Sequence, residues 1–234
     1  MGYKTELHCH SGVVSACGHL SPERLIERYL EHGYTTLVIT DHLSRYTFDR
    51  TNYQGGEDWN EKVDFFMSSY RLLQNAAKGR INVLLGMEAR LHKQHATDFL
   101  VYGVTEEFLR AHTGLLSYHL KDFSAAIRDA GLLLVQAHPF RNHMTVTKPG
   151  LLDGVEVYNG HVKQTSAFRN QMAATWAEHY DLIPTSGSDL HTEDMMISGG
   201  IETAEPITSN EQLLAVLRSR DYTILRNEAL FEKQ

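Results

Sequence analysis

Short apolar runs alternate along the chain with longer stretches in which apolar residues return every three or four positions, a pattern that predicts strands and helices in turn. Residues 3–9 form the first predicted strand. Ser21-Pro22 then opens a helix with a capping side chain and a proline at its first position, Leu25, Ile26, Tyr29 and Leu30 make its apolar face, and Gly33 ends it. The second strand, Thr35 to Thr40, is apolar and β-branched throughout, as befits a strand covered on both faces. Residues 43–59 show no period and contain Gly55-Gly56, which predicts a long loop of the kind that serves as a lid. A helix from Asn60 to Lys78 follows, with Val63, Phe66, Met67, Tyr70, Leu73 and Ala77 facing the core.

Further strands are predicted at Ile81–Leu85, Asp98–Gly103, Leu132–Gln136, 154–158 and Leu182–Thr185, with helices over 119–130 and 165–180. Ser209-Asn210-Glu211-Gln212 reads as a capping box for a last helix, and Tyr222 to Leu225 as a closing strand. Strands that alternate with helices imply a parallel sheet, and about seven such units are present. Candidate polar residues follow at least five of the strands. That distribution suits an α/β barrel with its chemistry at one rim better than an open sheet with a single crevice. No Gly-x-Gly-x-x-Gly follows the first strand and no phosphate loop is present. The expectation is a single α/β barrel domain over residues 1–234.

Composition narrows the class. Hydrophobic content of 42% and charged content of 22% are those of an ordinary globule, and no apolar run approaches the roughly 18 residues of a membrane span. The first residues lack the basic and apolar regions of a signal peptide, and the two cysteines, Cys9 and Cys17, do not make a disulfide framework. A reduced, cytoplasmic protein is expected. The net charge of −7 and the lack of a basic stripe argue against a stable nucleic-acid complex, yet not against a small anionic substrate.

The candidate chemistry lies at the strand ends. With 14 His in the chain, a His-x-His pair arises by chance about once. His8 and His10 gain weight because residues two apart on a strand face the same way, so both can close on one cation while Cys9 points to the core. Thr40-Asp41-His42, Gly86-Met87-Glu88, Ala137-His138-Pro139 and Ser188-Asp189-Leu190-His191 each sit just beyond an apolar run. His8, His10, His42, Glu88, His138, Asp189 and His191 exceed what one ion uses. Imidazoles with carboxylates suit Zn²⁺, Mn²⁺ or Fe²⁺ better than Mg²⁺ or Ca²⁺. Two or three such ions about 3.5–4 Å apart activate water and stabilise phosphoryl oxygens, which makes hydrolysis the leading reaction class. Arg141, just past His138, reads either as a surface cation or as a group that grips a phosphate with two hydrogen bonds.

His8-Cys9-His10, Leu20-Ser21-Pro22-Glu23, Ile39-Thr40-Asp41-His42, Gly86-Met87-Glu88, Ala137-His138-Pro139 and Gly187-Ser188-Asp189-Leu190-His191 together resemble the ordered motifs of the PHP (polymerase and histidinol phosphatase) superfamily. The resemblance implies a distorted (β/α)7 TIM-like barrel with a di- or trinuclear centre and phosphoesterase chemistry. Carried over by motif, His8, His10, Glu88 and Asp189 hold a first metal, Glu88 and His138 a second, and His42 and His191 a third. Two positions depart from the commoner pattern. Cys17 stands where many relatives have Asp, and Asp98 stands where many have His. His19, two residues beyond Cys17, is the alternative ligand.

The rival enzyme class is an amidohydrolase-type barrel, which also uses His-x-His after its first strand. It typically adds a bridging Lys, for which this chain offers Glu88 instead. A metal-stabilised regulatory module without turnover is the third reading. Asp41 is read as a ligand or as a structural acid beside His42. His95 and His161 are further candidates, the first near the metals and the second for substrate contact. His32, His92, His112, His119, His143 and His179 lie in no motif and read as solvated or hydrogen-bonded imidazoles.

Overall fold

The computed structural model describes residues 2–93 and 97–232, which leaves His95 outside the described residues. In chain order the elements are β1 (Tyr3–Glu6), α1 (Pro22–Glu31), β2 (Tyr34–Ile39), β3 (His42–Leu43), α2 (Arg45–Asp49), α3 (Trp59–Ala77), β4 (Asn82–Ala89) and β5 (Phe99–Tyr102). They continue with α4 (Glu106–Ala111), α5 (Leu120–Asp129), β6 (Leu133–Gln136), β7 (Gly154–Asn159), α6 (Ala167–His179), β8 (Ile183–Gly187), β9 (Ile201–Thr203), α7 (Asn210–Ser219) and β10 (Thr223–Ile224). The strands form one sheet in the order β10-β9-β1-β2-β4-β5-β6-β7-β8, with β3 paired to β4.

Strand pleating divides the core. Leu84 joins Leu7, Val38, Leu100, Tyr102 and Val135 in one buried cluster, capped by Leu213 and Leu217 of α7. Its neighbours Val83 and Leu85 face the other way, into a cluster with Leu25, Ile26 and Tyr29 of α1 and Val63, Phe66 and Leu73 of α3. Burial on both faces is what the unbroken apolar runs require.

The sheet closes almost into a barrel through the segment beyond β8. Asp189 N donates to His8 O at 2.8 Å and His10 N to Leu190 O at 3.1 Å, a parallel pairing of 189–190 with 8–10. The two segments approach so closely that a Cβ on Gly187 would lie 2.2 Å from His8 Cβ, and only glycine fits there. Glu6, fully buried, reinforces the seam: its Oε1 accepts from Leu7 N, His8 N and Ser188 N at 3.0, 2.9 and 2.9 Å.

Several expectations are corrected. The sheet is not wholly parallel, because β5 runs antiparallel to both β4 and β6. Residues 90–98 join β4 to β5 directly, and a parallel crossover needs a dozen residues or more. The predicted closing strand is β10, an edge strand on β9, which is itself antiparallel to β1; the return at 188–191 closes the ring instead. The segment 43–59 starts at the end of β3 and contains α2, and its Phe48 and Tyr53 rings pack together with Phe65 of α3. At α7, Ser209 caps Gln212 N, but the Gln212 side chain turns to Thr208 rather than back to Ser209. Among the described residues, no helix is long and apolar enough to cross a membrane.

Candidate metal centre

The extended segment after β1 places His8 and His10 on one side, their Nε2 atoms 3.2 Å apart, while the Cys9 thiol turns to Val38 O in the core. Glu88, near the end of β4, and Asp189, beyond β8, approach the same point. His8 Nε2 lies 3.5 Å from Glu88 Oε2 and 3.3 Å from Asp189 Oδ1; His10 Nε2 lies 3.4 and 3.2 Å from the same two oxygens. A tetrahedral shell with bonds of about 2.0–2.1 Å has edges of about 3.3–3.4 Å, and the five distances that run from His8 and His10 match the edges of such a four-coordinate cage.

The tautomers agree with this geometry. His8 Nδ1 donates to Glu156 Oε1 at 2.8 Å, and His10 Nδ1 faces Ser15 Oγ at 3.4 Å. With both rings neutral, the inward Nε2 atoms are left with lone pairs aimed at one another, an arrangement a cation satisfies. Glu88 Oε2 is buried, with His42 Nδ1 as its nearest polar neighbour at 2.8 Å. Burial alone raises the Glu88 carboxyl, yet charge on His42 and then His8 outweighs it and holds Glu88 well below the usual range. Asp189 is likewise held far down by His8 and His191 against burial. Burial lowers His8, but Asp189, Glu156 and Glu88 draw it well above the ordinary imidazole range. The buried carboxylates therefore call for positive charge, and the donor set fits divalent metal.

Three further groups adjoin the cage or share its members. Among the described residues, His10, His42 and His191 bring ligand atoms within 4.8 Å of one another, and so do Glu88, Asp98 and His138, and His8, His138 and Asp189. His42 Nδ1 is 2.8 Å from Glu88 Oε2, and His138 Nε2 is 3.1 Å from Glu88 Oε1, so the Glu88 carboxylate faces both. The Cys17 thiol meets His191 and His42; burial raises it, and the hydrogen bonds to these two rings bring it down to about 7. His19 is exposed and bonds His191 through its backbone, which leaves Cys17 as the side chain inside. Asp98 is buried, but Arg90 grips both of its oxygens, Nε to Oδ1 at 2.5 Å and Nη2 to Oδ2 at 2.6 Å. Arg141 lies 3.6 Å from Asp98 Oδ2 and 3.6 Å from Asp189 Oδ2.

Asp41 takes the structural role. Its oxygens accept from Ser11 N, Ser11 Oγ, Ser15 Oγ and Ser69 Oγ, which fixes the loop that carries Cys17 beside His42. His161 is buried beside His191, their ring centroids 5.4 Å apart, and among the described residues its Nδ1 has no partner. His138 and Asp189 hold positive φ values of 27° and 51°, a backbone cost at two of the candidate ligands.

Sequence reasoning missed Glu156 and Asn159. Glu156 Oε2 accepts from His138 N at 2.9 Å and Asn159 Nδ2 at 3.0 Å while Oε1 orients His8; Asn159 Nδ2 also reaches Asp189 Oδ2 at 3.1 Å. The available signal was a carboxylate within the apolar run Val155-Glu156-Val157, which a strand end alone does not explain.

A nearly closed α/β barrel with buried imidazoles and carboxylates beyond its strands defines the class of metal-dependent barrel hydrolases. Residues 6–221 match the PHP domain, and the chain belongs to that family. Its fold is shared with a two-domain protein from Bacteroides vulgatus ATCC 8482 containing a predicted PHP-like metal-dependent phosphoesterase. That pair has 17% identity and a TM-score of 0.68 over 96% of this chain and 64% of that one, so the chain spans under two thirds of that protein. PsfC from Pseudomonas syringae PB-5123 aligns with 18% identity and a TM-score of 0.69 over 98% and 95% of the two chains. An amidohydrolase from Chromobacterium violaceum, solved with bound sulfate and no metal, aligns with 18% identity and a TM-score of 0.56 over 96% and 98%. No curated protein matches the chain.

Proposed function

We propose that this protein is a metal-dependent phosphoesterase that acts on a small phosphorylated metabolite or short nucleotide. The observation that carries the reading is Arg141. Its side chain is only 15% exposed and sits between Asp98 and Asp189 at the edge of the cage, yet among the described residues its guanidinium makes no hydrogen bond. A half-buried cation with unused planar donors beside a metal cage is built for a tetrahedral oxyanion. The phosphoesterase named for the Bacteroides relative and the sulfate held by the Chromobacterium relative are consistent with this.

In this reading His8, His10, Glu88 and Asp189 hold one metal, and His42, His191 and Cys17 hold another beside it. Bound divalent cations lower the pKa of water and neutralise charge on the phosphoryl group. Glu156 keeps the His8 lone pair inward, and Asn159 holds Asp189 Oδ2, so that Oδ1 faces the metal. Arg141 orients the phosphoryl oxygens. With Gln164 Nε2 donating to its Nε2 at 3.2 Å, His161 carries its proton on Nδ1, which is buried and unpartnered among the described residues. The net charge of −7 supports a small substrate rather than a nucleic-acid duplex, and a cytoplasmic setting suits the two free thiols.

The test is turnover by the zinc- or manganese-loaded protein across phosphomonoesters, phosphodiesters and amides. Hydrolysis of phosphate esters, abolished by chelation, is expected. Turnover of amides alone, or of nothing by fully metal-loaded protein, overturns the reading.

A further inference from the structure

The corner formed by Glu88, Asp98 and His138 has ligand atoms within 4.8 Å of one another, which by distance alone marks a metal position. Its charge and hydrogen bonding say otherwise. Arg90 Nε donates to Asp98 Oδ1 at 2.5 Å and Arg90 Nη2 to Oδ2 at 2.6 Å, the two-point planar contact that guanidinium makes best with carboxylate. Arg141 Nη2 stands 3.6 Å from the same Oδ2. Asp98 is completely buried, so neither oxygen has water to fall back on if Arg90 is displaced.

A dication taking Asp98 as ligand would break two charge-assisted hydrogen bonds and stand among two guanidinium charges. Without Asp98, the corner keeps Glu88 Oε1 and His138 Nε2, 3.1 Å apart, among the described residues; the other ligand atoms that His138 approaches, on His8 and Asp189, already belong to the first cage, which leaves fewer than the three protein ligands of a catalytic site. Glu88 is also shared, since its other oxygen faces His8, His10 and His42. The positive charge that this corner needs is already supplied by protein.

We infer that this is a two-metal centre whose third corner is occupied by arginine: Asp98 anchors Arg90, and Arg90 with Arg141 forms a fixed cationic wall against which a substrate oxyanion rests. The inference rests on the reading of the site as a metal centre and deepens it, because it assigns the second phosphate-facing charge to the chain itself. Arg90 is a positioning and binding residue here, and Asp98 acts only through it.

The test is metal content. Protein saturated with zinc and then desalted is measured by elemental analysis as the unmodified chain, as Asp98→Asn and as Arg90→Gln. Two equivalents are expected for the unmodified chain and two for Asp98→Asn. Arg90→Gln frees the Asp98 carboxylate and should gain a third equivalent. Three equivalents in the unmodified chain, a loss of one on Asp98→Asn, or no gain on Arg90→Gln overturns the inference; the Arg90 variant still decides it if Asp98→Asn does not fold. The count is read without substrate, so it stands or falls separately from the turnover assay. A protein that takes up no zinc overturns the metal centre itself.

Discussion

Replacing Glu156 by Gln changes one atom outside the metal shell and should weaken metal binding about 10–100-fold, or about 1.4–2.8 kcal/mol. The magnitude follows from the three donors that converge on the carboxylate: His8 Nδ1 on Oε1, and His138 N with Asn159 Nδ2 on Oε2. An amide has only one acceptor oxygen. Turned with its NH2 toward His8, it donates to Nδ1 and drives the imidazole proton onto Nε2, the atom whose lone pair faces Glu88, Asp189 and His10. Turned the other way, it leaves two buried donors facing an NH2, at about 1–3 kcal/mol each. Either orientation reaches the predicted range. The assay is competition with a chromogenic chelator at neutral pH, with circular dichroism as the control for folding. A folded Glu156→Gln protein that binds zinc within about twofold of the unmodified affinity would refute the reasoning.

Glu88→Ala should lower bound metal by more than one equivalent, because Glu88 Oε2 closes the His8–His10 cage and also lies 2.8 Å from His42 Nδ1; full metal content by elemental analysis would contradict a shared role. Arg141→Lys should lose at least about tenfold in kcat/KM at constant metal content, since Lys cannot make the planar two-point contact, and unchanged kinetics would reduce Arg141 to a bystander. Cys17→Ala should lose one equivalent of zinc, whereas Cys17→Asp should keep it and shift the preference toward Mn²⁺; zinc lost instead on His19→Ala would reverse that assignment. In metal-free protein, alkylation of Cys17 should rise with pH, because the thiolate is the nucleophile. Its midpoint should lie near 7, where the hydrogen bonds to His191 and His42 place it against burial, and a midpoint at or above about 8.5 would count against them.

The candidate ligands were legible because strand geometry makes them so. A period of two puts His8 and His10 on one side, and apolar runs that stop abruptly announce Glu88, His138 and Asp189 at one rim. Their supports were not, because a residue that serves through hydrogen bonds needs no spacing. Glu156 lies within an apolar strand, and Glu6 sits just ahead of His8 with its partners at Ser188 and Tyr29, far away in sequence. The grip of Arg90 on Asp98 was invisible for the same reason, although only eight residues separate them. The direction of β5 was lost to a different cause. An apolar run reveals a strand but not its sense, which the short connection at 90–98 decides. β3 and β9, of two and three residues, are too short to carry a period at all.

Anomalous scattering from zinc-soaked crystals, recorded on either side of the zinc edge, tests the metal centre most directly. One peak about 2.0–2.2 Å from His8 Nε2, His10 Nε2, Glu88 Oε2 and Asp189 Oδ1 is predicted, with a second beside Cys17, His42 and His191. An empty His8–His10 cage in crystals that hold zinc elsewhere would contradict the account.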